Sequence, residues 1–369
     1  MYSYQPVFLA ISIVLMLLYT SCSEDIEPTN VEIEPLDDIY YPPNNTQWES
    51  LDPLELDWNQ NAIAQLKNWM SPSETRALII LHKGKIVHED YSGLDHQGQP
   101  FNQTSQWQWA SAGKTLTSSM IGIVAEEGLL TLDDKTTDFL GLGWTDMLQE
   151  REDKIKISHQ LTMTTGLDDL NVDRSCVAPQ CLTYLVEPGN RWAYHNGPYT
   201  LLQSVVEEAT GIKASDYSKQ KIETPIGMDG LWVNINNDIV FFSSARDMAR
   251  YGWMIANQGR WKDEQIVPSD FIKEATTPSQ TLNKSYGYLW WLNGQPSFML
   301  PIIEREFNGS LLPDAPDDSY LAIGKSGQVL MIVPSLELVI VRMGSSNGND
   351  FVPIAFVREM WTLINTLFQ

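Results

Sequence analysis

The sequence predicts an α+β fold: one antiparallel β-sheet flanked by helices, with an inserted, mostly helical subdomain. Two hairpin patterns and the helical stretches between them carry that expectation. The first hairpin lies in Thr75–Tyr91, where two runs rich in β-formers flank Lys83-Gly84-Lys85. The second lies in Tyr320–Ile340, where two apolar runs meet through Pro334-Ser335-Leu336-Glu337. Helix-period stretches fall at about residues 111–127, 157–165, 199–209 and 245–257, and a last helix runs from about Pro353 to Phe368. Strands at both ends with helices between them suggest one sheet closed by the chain ends. A parallel sheet would instead alternate strand and helix throughout.

Composition narrows the function classes. At 369 residues the chain is long enough for one large core or two modest ones. A hydrophobic content of 43%, with 13 Trp, 14 Tyr and 11 Phe, excludes disorder over most of its length. The 47 acidic residues outnumber the 24 basic ones, for a formal charge of −23. Phosphate backbones are bound by Lys and Arg that displace counterions, so no nucleic-acid partner is expected. Three Cys and five His contain no C-x-x-C or H-E-x-x-H spacing, and no metal or other cofactor is expected.

The N-terminus reads as an export signal. Residues 7–18 form an apolar run too short to span a bilayer, which takes ~20 residues, but suited to a signal-peptide core. Tyr19-Thr20-Ser21-Cys22 follows and resembles a bacterial lipoprotein cleavage site with Cys22 as the lipidated residue. Ordinary cleavage with Cys22 incidental is the alternative. Either way residues 1–22 hold the signal peptide, with a lipidated Cys22 kept as the first residue of the mature chain, and the protein is expected to be exported, to the periplasm or, as a lipoprotein, to the outer membrane. Eleven acids and no base precede Lys67. Residues 23–49, acidic and Pro-containing, read as a tether between a membrane anchor and a catalytic domain over 50–369, whose helical part spans roughly 112–240. In an oxidising compartment Cys176 and Cys181 are close enough in sequence to form a bridge, or remain as two buried thiols.

The chemistry centres on Ser111-Ala112-Gly113-Lys114 at the start of a helical run. Ser caps helices and Lys is common on solvated faces, so the pair alone is weak. A Ser nucleophile needs a base, and Lys serves only if burial or a nearby cation lowers its pKa. That reading calls for a second cation near Lys114 and a further group to relay the proton. Tyr194-His195-Asn196 and Lys325-Ser326-Gly327 supply candidates downstream. An α/β-hydrolase elbow is excluded because Trp109 occupies its first Gly position.

With these three elements in this order, the chain resembles the serine β-lactamase and penicillin-binding peptidase superfamily, in its class C-like branch. The resemblance covers roughly residues 50–365. It includes Leu161–Leu167, Pro225–Met228, Ser244–Gly252, Tyr286–Trp291 and the strand segment after Gly327-Gln328. It implies a β-lactamase/transpeptidase-like fold, with Ser111 as acylated nucleophile, Lys114 as its proton partner, and Tyr194 as phenolate or hydrogen-bond relay. It also implies that Asn196 holds Lys114 and a substrate amide oxygen. Lys325, with Ser326 and Gly327, supplies positive charge and meets a substrate carboxylate. The backbone N–H groups of Ser111 and Gln328 form the oxyanion hole. Met163 resembles the esterase and amide-hydrolase subgroup. His195 is expected to face solvent, and Asp168 and Asp169 could line the site but are expected on an exposed turn. Trp107, Trp109, Trp192, Trp290 and Trp291 lie near the motifs and could rim the site.

The expected function is an exported serine hydrolase of a small ester or amide substrate, carboxylate-bearing if Lys325 binds it. A true β-lactamase or D-alanyl-D-alanine carboxypeptidase is the first alternative, and a non-catalytic cell-envelope binding lipoprotein is the second.

Overall fold

The computed structural model describes Met1 and residues 39–44, 47–170, 173–346 and 350–369. The apolar run, Cys22 and residues 23–38 of the expected tether lie outside the described residues.

Six antiparallel strands form the main sheet: β1 (Thr75–His82), β2 (Lys85–Tyr91), β6 (Trp291–Leu292), β7 (Tyr320–Gly324), β8 (Gln328–Val333) and β9 (Leu338–Gly344). Their order is β2-β1-β9-β8-β7-β6, so the first and last strands pair in the middle, with Ile80 opposite Ile340. Lys325–Gly327 is therefore the turn between β7 and β8, not part of a strand. Strands β7, β8 and β9 are buried at every position, which explains their largely apolar sequences: helices cover both faces.

Helix α4 (Ala245–Ala256) packs on this sheet. Ser244 and Asp247 cap it reciprocally, each side chain accepting the other's backbone N–H. At Gly252 a Cβ would stand 2.5 Å from Leu330 and 2.7 Å from Val339, so only Gly permits the approach. Helix α1 (Gln60–Met70) buries Ala62, Leu66 and Met70, one stripe at helical spacing, beside α5 (Ile354–Asn365).

The inserted region contains α2 (Lys114–Glu126) and α3 (Asn196–Thr210). Its end is not helical. Strands β4 (Gly230–Ile235) and β5 (Asp238–Ser243) form a hairpin that pairs with β3 (Trp107–Gln108) in a second sheet. Helix α2 is central: every residue from Lys114 to Val124 is buried. Its polar residues do not make a solvated face: three of them find partners inside the protein, while the buried Ser118 Oγ has none among the described residues. Thr115 donates to Ala112 O, Thr117 bonds Tyr199, and Ser119 bonds Tyr251.

The compact unit begins at Ile39, within the stretch expected as tether. Trp253 Nε1 donates to Tyr40 O, Arg250 donates to Pro42 O and Pro43 O, and Trp48 is buried beneath the Arg250 guanidinium.

Candidate active site

Ser111 sits in a 3-10 turn, Ala110–Gly113, that runs into α2. Trp109 anchors the turn: its backbone N–H donates to Phe241 O, and its indole donates to Ser243 Oγ at 2.8 Å. Ala110 takes φ +47°, a left-handed conformation that non-Gly residues adopt at a cost of about 1–3 kcal/mol. Strand β7 presses on the same turn. A Cβ on Gly324 would lie 2.4 Å from Trp109 O and 3.1 Å from the Ala112 N.

The Lys114 Nζ lies 3.2 Å from Ser111 Oγ. It is only 5% exposed and stands 4.1 Å and 5.3 Å from the ring centroids of Tyr199 and Tyr194. Burial pulls its pKa down to about 8, while the Asp238 carboxylate works in the other direction. The second cation that the sequence called for is thus not what lowers it. Desolvation does that, and the charge acting on Lys114 is an anion. Lys325 is exposed on the turn between β7 and β8.

Tyr194 precedes α3. Burial pushes its phenol well above the usual range, with the Ser111 hydroxyl acting against the shift. A neutral phenol that donates and accepts hydrogen bonds fits this environment, and a phenolate does not. Tyr194 stacks on Trp291 at 6.1 Å. Asn196 opens α3, but its amide Nδ2 donates to Asp238 Oδ1 (3.2 Å) and Ser175 Oγ (3.3 Å) rather than acting toward Lys114. Its buried Oδ1 has no hydrogen-bond partner among the described residues. Ser175 immediately precedes the loop closed by a disulfide between Cys176 and Cys181, Cα atoms 6.0 Å apart. That loop meets α3 where a Cβ on Gly197 would fall 2.3 Å from Cys176 O.

A cavity of about 240 Å³ joins these parts. Ser111, Lys114, Asn196, Asp238, Lys325 and Ser326 line it, with Ile235, Ile239, Val240 and Phe351 as its apolar wall. Ser326 is left-handed (φ +63°), and the turn around it is tied down by Arg342 on β9. Arg342 donates to Ser326 O (2.8 Å), Gly327 O (3.0 Å), Ser73 O (2.8 Å), Ser345 O (2.6 Å) and Thr75 Oγ1 (2.9 Å). The Gln328 side chain is fully buried and turned to Gly344 O, leaving only its backbone for an oxyanion role.

Three expectations are corrected. None of the five indoles near the motifs lines the cavity; all are core residues. His195 does not face solvent: it is 1% exposed, and burial pulls it down to about 4, so it is neutral. Asp169 is not on an exposed turn but buried between Arg191 (2.7 Å) and Arg174 (3.4 Å). Sequence reasoning missed Asp238, Tyr199 and Arg342. Tyr199, one helical turn after Asn196, could have been found by spacing. Asp238 reads as a hairpin-turn residue, and Arg342 is a lone cation in an apolar strand.

A serine bonded to a buried, low-pKa lysine at the end of an antiparallel sheet defines a serine hydrolase of the β-lactamase type. Residues 74–359 match the beta-lactamase family, and the chain belongs to it. Over 324 residues it is 26% identical to an uncharacterized protein of Alkalihalophilus pseudofirmus, covering 79% of this chain and 90% of that one. The fold is similar to that of a provisionally assigned 6-aminohexanoate-dimer hydrolase from Bacillus anthracis (TM-score 0.65, 20% identity, 88% of this chain and 89% of that one). It is also similar to a family VIII carboxylesterase (TM-score 0.64, 15% identity, 87% and 98%).

Proposed function

We propose that the protein is an exported hydrolase that cleaves a small, carboxylate-bearing ester or amide through an acyl-enzyme on Ser111. The observation that carries this reading is the 3.2 Å contact between Ser111 Oγ and a buried Lys114 whose pKa is about 8. Near neutral pH such an amine is part-neutral and able to take the serine proton, whereas an ordinary lysine is not.

In the first half-reaction Ser111 Oγ bonds to the substrate carbonyl carbon as its proton passes to Lys114. The tetrahedral oxyanion rests on the backbone N–H groups of Ser111 and Gln328, a type of contact worth ~2.7–4 kcal/mol per donor. The carbon–oxygen or carbon–nitrogen bond breaks, and the leaving group takes the proton through Tyr194. Water then repeats the sequence in reverse, releasing the acid and restoring Ser111. Lys325 on the cavity wall meets the substrate carboxylate, with Ser326 and Gly327 shaping the turn, and Asn196 Oδ1 is free to accept from a substrate amide N–H. This differs from the donor role the resemblance implied for Asn196, because Asp238 and Ser175 occupy its NH₂.

Export with a lipid on Cys22 is part of the same proposal, and the Cys176–Cys181 bridge suits an oxidising compartment. Cys22→Ala is expected to move the protein from the membrane fraction to the soluble one; retention at the membrane would remove the anchor from the reading.

The decisive test is intact mass after incubation with a penicillin, with Ser111→Ala beside it. An adduct on the wild type alone identifies Ser111 as the nucleophile and points to a penicillin-binding peptidase or a slow hydrolase. Rapid Ser111-dependent cleavage without an adduct points to a β-lactamase. With the penicillin untouched, p-nitrophenyl propionate is the next substrate. Equal turnover of that ester by wild type and Ser111→Ala would sink the acyl-enzyme.

A further inference from the structure

Among the described residues Asp238 is the one acidic side chain lining the cavity, and the proposed reaction does not use it. It stands half-buried at the first position of β5, where it closes the hairpin opposite Ile235. Its Oδ1 accepts from Asn196 Nδ2 at 3.2 Å. Among the described residues no basic side chain forms an ion pair with it. Lys325 lines the same cavity and is likewise in no ion pair among the described residues. Besides Lys114, one cavity of about 240 Å³ therefore presents two charges of opposite sign that form no ion pair with each other.

A carboxylate so close to the catalytic lysine needs explaining. It favours the ammonium form of Lys114, the wrong form for a base. Its hydrogen bond to Asn196 could be made equally by a neutral amide, which would not oppose the base. A negative charge retained there is useful if a positive charge arrives with the substrate. That charge would also screen Asp238 from Lys114 and release the amine to act.

We propose that Asp238 receives a protonated amine on the acyl portion of the substrate, so that the enzyme acts on aminoacyl esters or amides. This rests on the hydrolase reading above and names its substrate class. The acyl side is part of this proposal: Asp238 is bonded to Asn196, whose free Oδ1 is the acceptor proposed for a substrate amide N–H, and that N–H is placed on the acyl portion. Lys325 then takes a carboxylate elsewhere on the same molecule, and the cavity suits a substrate charged at both ends.

The test compares alanyl and propionyl p-nitrophenyl esters, which differ only in the ammonium group, for the better alanyl enantiomer and after subtraction of a Ser111→Ala blank. Wild type is expected to favour the alanyl ester in kcat/KM by about 10- to 100-fold, the range of a charge-assisted hydrogen bond. Asp238→Asn should bring the ratio close to one, whatever its absolute rates. A second reading needs no variant: raising the pH through the α-amine's own pKa, about 7.7–8.0, should erase the wild-type preference. In kcat/KM Lys114 titrates as in the free enzyme, alike for both esters, so the ratio isolates the substrate's charge. A wild-type ratio of one or below, or a preference that survives in Asp238→Asn, overturns this inference and leaves the hydrolase standing. Ser111-dependent turnover of neither ester overturns the hydrolase and this inference with it.

Discussion

Lys114 and Arg342 are both buried cations of the same domain, 5% and 0% exposed, yet their surroundings make them opposites. Arg342 meets five oxygen acceptors, and although burial pulls its pKa down to about 9 it keeps its proton at neutral pH, so its charge holds backbone in place. Lys114 meets one hydroxyl and two aromatic faces. Burial without acceptors leaves the ammonium poorly solvated, and the neutral amine gains. Burial alone therefore does not mark a functional cation; the number of acceptors around it decides between a tie and a base.

The sharpest test of that contrast is Lys114→Met, which should change activity and stability in opposite directions. Loss of the base is expected to lower kcat/KM by about 10²–10⁴-fold, measured on p-nitrophenyl propionate. The stability effect follows from linkage. Lys114 is held at about 8 in the fold against 10.5 for the free side chain, so the unfolded chain binds the proton more tightly between those values. The penalty is complete below pH 8 and fades as the pH rises toward 10.5. Met removes it, and denaturant unfolding at pH 7 should show a gain of about 1–3 kcal/mol that shrinks above pH 8. A loss of stability at pH 7 would mean that the aromatic faces already compensate the charge.

Arg342→Met is the mirror experiment. It leaves the carbonyls of Ser73, Ser326, Gly327 and Ser345 without their donor inside the protein. Unfolding free energy should fall by about 3–5 kcal/mol, as expected when several buried and half-buried acceptors go unpaired. Catalysis should fall with it because the Lys325–Gly327 turn loses its anchor. A change under about 1 kcal/mol would break the comparison, since both cations would then be dispensable to the fold.

Periodicity and turn residues made the sheet, its two hairpins and the principal helices legible, because each depends on local pattern. The Ser111, Lys114 and Lys325 segments were legible for the same reason: their residues lie within three or four positions of one another. What pattern could not convey is depth. The Thr and Ser positions of α2 look like a solvent face, and only tertiary packing against Tyr199 and Tyr251 buries them. His195 and the motif tryptophans were misplaced on the same ground. Asp238 and Arg342 come from 42 and 146 residues beyond Asn196, on strands whose pairing brings them to the site. A single sequence carries no local signal of such a meeting.

Asp238 supplies the finest test, since it should tune the base without making or breaking it. On the neutral propionyl ester, where no substrate charge intervenes, kcat/KM should rise with pH as Lys114 loses its proton near pH 8. Tyr194 does not contribute to this limb, because burial pushes its phenol up and keeps it protonated there. Asp238 stabilises the ammonium, so Asp238→Asn lowers the Lys114 pKa further and moves the limb to lower pH. The direction is the test, since a change in Asn196 geometry would alter the height of the profile and leave its midpoint in place. A midpoint that stays fixed would remove Asp238 from the field felt by Lys114. A midpoint that moves upward would mean that desolvation, not charge, is what the hairpin imposes on the amine.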